Sequence, residues 1–224
     1  MAEKKLFRFA EIAKMDNVLQ PTMEMIENDK VPYKGNWKEK YFKNDHPITL
    51  ELGCGKGEYA VGLARKYPNR NFIAVDIKGN RMYVGARQAI EEKLDNIFFL
   101  RTKIDFIEHF FEKDEVDEIW LTFSDPQRKK PRKRLTSKLF IDRYRKILKP
   151  KGIVHLKTDS DILFESTEEQ IKLHNYTPLF LSWDLYGDIH QLPEEEQEIL
   201  RIKTYYEALF TGKGAQIKYC KFTL

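Results

Sequence analysis

The stretch that most narrows the possible folds is residues 48–67. Ile48-Thr49-Leu50-Glu51-Leu52 is a short apolar strand, Gly53-Cys54-Gly55-Lys56-Gly57 is a turn with alternating glycines, and 58–67 reads as a helix stopped by Pro68. Glycine admits backbone angles closed to other residues and lets a ligand approach the main chain. The alternation then continues. Residues 71–76, 96–101, 118–123 and 152–158 read as further strands, with helices over 81–94 and 136–148. Strands joined by helices predict a mostly parallel sheet covered on both faces. Residues 177–185 and 215–222 are strand-like across a charged stretch and predict a terminal antiparallel pair.

Residues 1–45 carry nine basic and eight acidic side chains, one helical candidate at 7–14, and breaks at Pro21, Pro32 and Gly35. They read as an N-terminal extension laid over a core, or partly mobile, ahead of a domain spanning 46–224. No apolar run approaches the ~20 residues that a bilayer crossing needs, and the N-terminus lacks the apolar segment of a secretory signal. The expectation is a cytoplasmic protein without membrane contact. Two cysteines, Cys54 and Cys220, fit a reducing compartment. The five histidines never fall at zinc-ligand spacing, so no metal is expected.

The glycine spacing is G-x-G-x-G, tighter than the G-x-G-x-x-G that opens a pyrophosphate site, and suits a cofactor without a pyrophosphate. Asp76 closes the second strand 19 residues after Gly57, where a carboxylate accepts hydrogen bonds from ribose hydroxyls. The turn Arg101-Thr102-Lys103-Ile104-Asp105 after the third strand would flank an adenine. These features fit S-adenosylmethionine, with NAD as the second choice on the glycines and Asp76 alone.

The fourth strand ends in Phe123-Ser124-Asp125-Pro126-Gln127. A polar residue followed by proline here is similar to nucleic-acid amino-methyltransferases, but Gln127 and Arg128 stand where those carry an aromatic residue and a second proline. Next comes Arg128-Lys129-Lys130-Pro131-Arg132-Lys133-Arg134, six basic residues with no acidic one. A cationic loop beside a reaction site grips phosphates, supplying affinity and register without sequence readout. The formal charge of +4 hides this segregation: residues 127–149 carry a net +10 and the remaining chain −6. A polyanion is drawn to one place.

Taken together, the run 51–58, Ala74-Val75-Asp76-Ile77-Lys78, Phe123-Ser124-Asp125-Pro126 with its basic run, Lys133-Arg134-Leu135-Thr136, His155-Leu156-Lys157-Thr158-Asp159 and Thr204-Tyr205-Tyr206-Glu207 resemble the bacterial single-chain tRNA (guanine-N7)-methyltransferases over 45–224. The resemblance implies an α/β fold, the Rossmann-like, doubly wound seven-stranded sheet of class I methyltransferases, mostly parallel with an antiparallel C-terminal strand. It implies S-adenosylmethionine as cofactor and tRNA as partner, with methyl transfer to N7 of a guanosine, position 46 of the variable loop, to give 7-methylguanosine. Glu51, Gly53, Gly55, Gly57, Asp76, Lys103 and Asp125 would form the cofactor site, with Asp125 also catalytic. Lys129, Arg132, Asp159, Thr204, Tyr205, Tyr206 and Glu207 would contact the substrate. No obligate protein partner is implied, and a monomer or a homodimer fits. The family often has D-P-W-P where this chain has Asp125-Pro126-Gln127-Arg128, so a stacking tryptophan is not carried over. The other readings are an amino-methyltransferase of another nucleic acid and a non-catalytic RNA-binding module with the same fold.

Overall fold

The structure is a computed structural model that describes residues 2–212 and 214–224, the side chains of residues 2–4, 206 and 210 apart. Its strands are β1 (Val18–Leu19), β2 (Ile48–Leu52), β3 (Asn71–Val75), β4 (Ile97–Leu100), β5 (Val116–Thr122), β6 (Leu148–Thr158), β7 (Thr177–Ser182) and β8 (Lys218–Thr223). The helices are α1 (Ala2–Ile12), α2 (Met23–Glu27), α3 (Glu58–Lys66), α4 (Gly79–Glu91), α5 (Lys138–Tyr144), α6 (Asp161–Leu173), α7 (Leu185–Asp188), α8 (Glu194–Leu200) and α9 (Tyr205–Thr211).

The strands form one sheet in the order β1-β4-β3-β2-β5-β6-β8-β7. The described pairs are parallel except those of β8, which is antiparallel to both β6 and β7. The parallel α/β sheet and the antiparallel end agree with the sequence reading. The count is eight instead of seven. The added strand comes from the N-terminal segment: Val18 and Leu19 pair with Phe99 and Leu100, and the Arg101 amide donates to Leu19 O at 2.8 Å. Two residues flanked by polar neighbours carry no period-2 signal, so only the open edge of β4 reveals them.

Alternating residues of the central strands feed two cores. Leu50, Ile73, Phe98, Leu121 and Leu156 pack on one face with Trp37, Phe110 and Tyr144. Phe72, Ala74, Phe99, Trp120 and Tyr219 pack on the other with α3 and α4. Trp37 is fully buried and its indole N–H donates to Phe110 O at 2.8 Å, so a side chain of residues 1–45 sits inside the main core. The helix expected over 136–148 ends at Tyr144 instead, because Leu148 already pairs with Val116 as the first residue of β6. The register shift between Val116 and Glu118 absorbs Lys149-Pro150-Lys151-Gly152, with Lys151 at φ 63°. Among the described residues no helix is long and apolar enough to cross a membrane.

Candidate active site

Strand order reverses at β2, whose neighbours β3 and β5 lead to opposite halves of the sheet. A crevice opens at the carboxyl ends of the strands at such a point. Here it is a cleft of about 930 Å³ lined by Glu51, Gly53, Gly55, Asp76, Lys103, Asp125, Asp159 and Thr204, among others. Sites expected from six separated segments therefore meet in one place.

The glycine turn is held from the next strand. Asp76 Oδ2 accepts the Gly55 amide at 2.9 Å and Oδ1 accepts the Lys78 amide at 2.8 Å. Gly55 takes φ 57°, and a Cβ built there meets nothing within 4 Å, leaving open space above the turn. Gly57, at φ 73°, lies under the cleft instead of lining it. A Cβ there falls 2.7 Å from Phe99 Cε1, and one at Gly85 falls 2.4 Å from Lys56 O. The main chains of the turn and α4 touch, so Gly85→Ala is expected to destabilise the fold by about 2–3 kcal/mol. Urea unfolding measures this, and a loss below about 0.5 kcal/mol would mean the contact is slack.

Glu51 leaves β2 into the base of the cleft, fully enclosed, with its carboxyl accepting from the Thr122 hydroxyl and from the Ala60 amide at 3.0 Å. Burial pushes its pKa up to about 7 from 4.5, against the downward pull of those two donors. The folded protein then binds a proton that the unfolded chain releases between pH 4.5 and about 7. Stability should fall as pH rises across that window, by about 3 kcal/mol, and level off above it. Glu51→Gln should remove this slope. Urea midpoints of both proteins from pH 4.5 to 8 provide the check, and parallel curves would refute the assignment.

The turn after β5 is strained and braced. Phe123 has φ 50° and its amide donates to Lys157 O at 2.8 Å. Asp125 Oδ1 accepts the Gln127 amide at 2.8 Å while the carboxylate lines the cleft. The basic run that follows divides in two. Arg128, Lys129, Lys130 and Arg132 are exposed. Arg134 is buried and donates from Nε to Pro126 O at 2.9 Å, and Lys133 pairs with Asp105 at 2.5 Å. These last two brace the turn. Lys129 and Arg132 stand on the loop outside the cleft wall.

Asp159 and Thr204 also line the cleft. The Tyr205 amide donates to Glu58 Oε2 at 2.9 Å, and Lys56 Nζ lies 4.2 Å from its ring centre. Glu207 is not on the cleft surface: it is fully buried and ion-paired with Lys157 at 2.9 Å. The Tyr206 side chain lies outside the described residues. Sequence reasoning missed Thr122, Glu58, Lys56 and Lys157. Lys56, Glu58 and Lys157 sit within the runs 51–58 and 155–159 marked in the sequence, and Thr122 is one residue ahead of the run 123–134.

The sheet order and the switch-point cleft are those of the class I methyltransferase fold. Residues 45–220 match the model of a family described as a putative methyltransferase. Among solved structures, the 16S rRNA methyltransferase KamB superposes with a TM-score of 0.62 at 14% identity, over 84% of this chain and 92% of that one. A 16S rRNA adenine methyltransferase from Catenulisporales acidiphilia, solved with SAM, superposes with a TM-score of 0.54 at 14% identity, over 83% and 88%. Curated sequences are much nearer. The tRNA (guanine-N(7)-)-methyltransferase of Bacteroides thetaiotaomicron is 50% identical over all of this chain and 87% of its own length. That of Christiangramia forsetii is 45% identical over all of this chain and 99% of its own. The chain belongs to the tRNA (guanine-N(7)-)-methyltransferase family.

Proposed function

We propose that the protein transfers the methyl group of S-adenosylmethionine to N7 of a guanosine in the variable loop of tRNA. The observation that carries this reading is one switch-point cleft joining the glycine turn with Asp76, the Asp125 turn and the exposed cations of 128–132. Identity of 50% and 45% across all of this chain to two proteins named tRNA (guanine-N(7)-)-methyltransferase supports it.

The residues fit the cofactor. Open space over Gly55 admits a ligand against the backbone, and Asp76, the residue after β3, has both oxygens held in place by amides. Asp76 would take the ribose hydroxyls, Lys103 would flank the adenine, and Glu51 would face the cationic end. When bound, S-adenosylmethionine supplies an electrophilic methyl group on a sulfonium sulfur. Guanine N7 carries an in-plane lone pair and no proton, so no side chain needs to act as a base. What the chain must supply is alignment, which accounts for about 7–11 kcal/mol of a barrier in favourable cases. Positive charge builds on the purine during transfer, and the Asp125 carboxylate would stabilise it. Asp159 would accept from the N1–H and amino group that separate guanine from adenine, and Thr204 and Tyr205 would form the wall behind the base. Lys129 and Arg132 would hold the RNA backbone outside the cleft, with the guanosine turned out of its stack.

Residues 46–224 would be the catalytic unit and 1–45 an extension added to its sheet edge. Both cysteines are buried free thiols, consistent with a reducing cytosol. The test is nucleoside mass spectrometry of an unmodified tRNA transcript incubated with enzyme and S-adenosylmethionine. 7-Methylguanosine should form, and should be lost when the variable-loop guanosine is replaced by adenosine. A methylated adenine or cytosine instead would overturn the reading.

A further inference from the structure

One buried residue bonds to both the turn that carries Asp125 and the segment that carries Thr204. Lys157, near the end of β6, is fully buried. Its ammonium donates to Leu200 O at 2.6 Å, to Ile202 O at 3.4 Å and to the Glu207 carboxylate at 2.9 Å. Glu207, equally buried, also accepts from the Tyr186 hydroxyl, and its amide donates to Thr204 Oγ1 at 3.2 Å. At its other end, the Lys157 carbonyl accepts the Phe123 amide at 2.8 Å, two residues before Asp125. Neither Lys157 nor Glu207 lines the cleft, yet one reaches Asp125 through the main chain and the other reaches Thr204 through its amide.

A buried ion pair is a poor way to gain stability. Desolvating both ions offsets most of their attraction, and apolar side chains of similar volume often hold a fold equally well. What the pair does supply is direction: three acceptors converge on one ammonium and fix where the 200–207 segment starts. We propose that Lys157 is a positioning residue which, through Glu207, sets Thr204 where it lines the cleft together with Asp125. The role rests on the methyltransferase reading above. It also assigns Glu207 inward, to the lysine, and leaves Thr204 as the member of its motif that faces substrate.

The test replaces both charges at once, Lys157→Met with Glu207→Met, so that no buried ion is left unpaired. Tyr186→Phe, which removes a single hydroxyl, is the second variant and decides the matter if the first does not fold. Two measurements are made on each. Amide hydrogen exchange of the resting protein should speed up at 204–207 by about tenfold or more in the double variant while β2 to β5 keep their protection. KM for tRNA should rise by about tenfold with kcat nearly unchanged, and Tyr186→Phe should shift both quantities the same way by about two- to fivefold. A merely structural pair would lower kcat with the folded fraction and leave KM alone. Either that result or unchanged exchange at 204–207 overturns the proposal. Because exchange needs no turnover, it judges the positioning role even if the wild-type protein makes no 7-methylguanosine, which would refute only the functional reading.

Discussion

Asp125→Asn is expected to lower the rate of methyl transfer by about 10²–10³-fold while changing tRNA retention by less than about threefold. The asparagine keeps an oxygen for the Gln127 amide, now 2.8 Å from Oδ1, so the strained turn is retained. What it removes, on the proposed mechanism, is the negative charge that would face a purine becoming cationic. Asp125→Ala should lose the same turnover and also release the turn, so its cofactor affinity should fall as well. Single-turnover rates with saturating cofactor, read beside filter binding of tRNA, separate these effects. Turnover by Asp125→Asn within about threefold of wild type would remove the residue from the chemistry.

The second large effect belongs to the loop. Reversing Lys129 and Arg132 together is expected to weaken tRNA binding by about 10²-fold near 50 mM salt. The slope of log K against log salt should become shallower by about 1.5–2 units, the loss of two phosphate contacts. Both side chains are exposed and lie outside the cleft. Lys133 is the informative contrast, because Asp105 already neutralises it at 2.5 Å. Lys133→Gln should move the slope by less than about half a unit. An unchanged slope in the double reversal would mean that RNA is gripped elsewhere.

The glycine turn, Asp76 and Asp125 were legible in the sequence because each is local. A strand ends, the residue type at its end is chemically distinctive, and parallel topology brings strand ends together. The basic run was legible as a cluster, but its division was not. Arg134 is buried because Pro126 O lies across the turn, and Lys133 is neutralised by Asp105 from the loop after β4. Glu207 failed for the same reason on a longer scale: its partner Lys157 is 50 residues away in sequence, and nothing in Thr204-Tyr205-Tyr206-Glu207 marks the acid as inward. Val18–Leu19 became a strand through the hydrogen bonds β4 offered, which no pattern in two residues encodes.

The position of β8 has a consequence for synthesis. It lies between β6 and β7 and bonds both, yet it follows both in the chain. While the ribosome works from residue 183 to 217, β6 presents an open ladder of amides and carbonyls, and β7 has no strand to join in its final place. Pairing β6 with β7 directly would close that gap wrongly. Vectorial folding can therefore complete the cofactor half early, but the wall carrying Thr204 must wait for the last strand to arrive. A nascent chain halted before Lys218 should be held by chaperones or degraded, with its glycine turn and β2 to β5 already assembled.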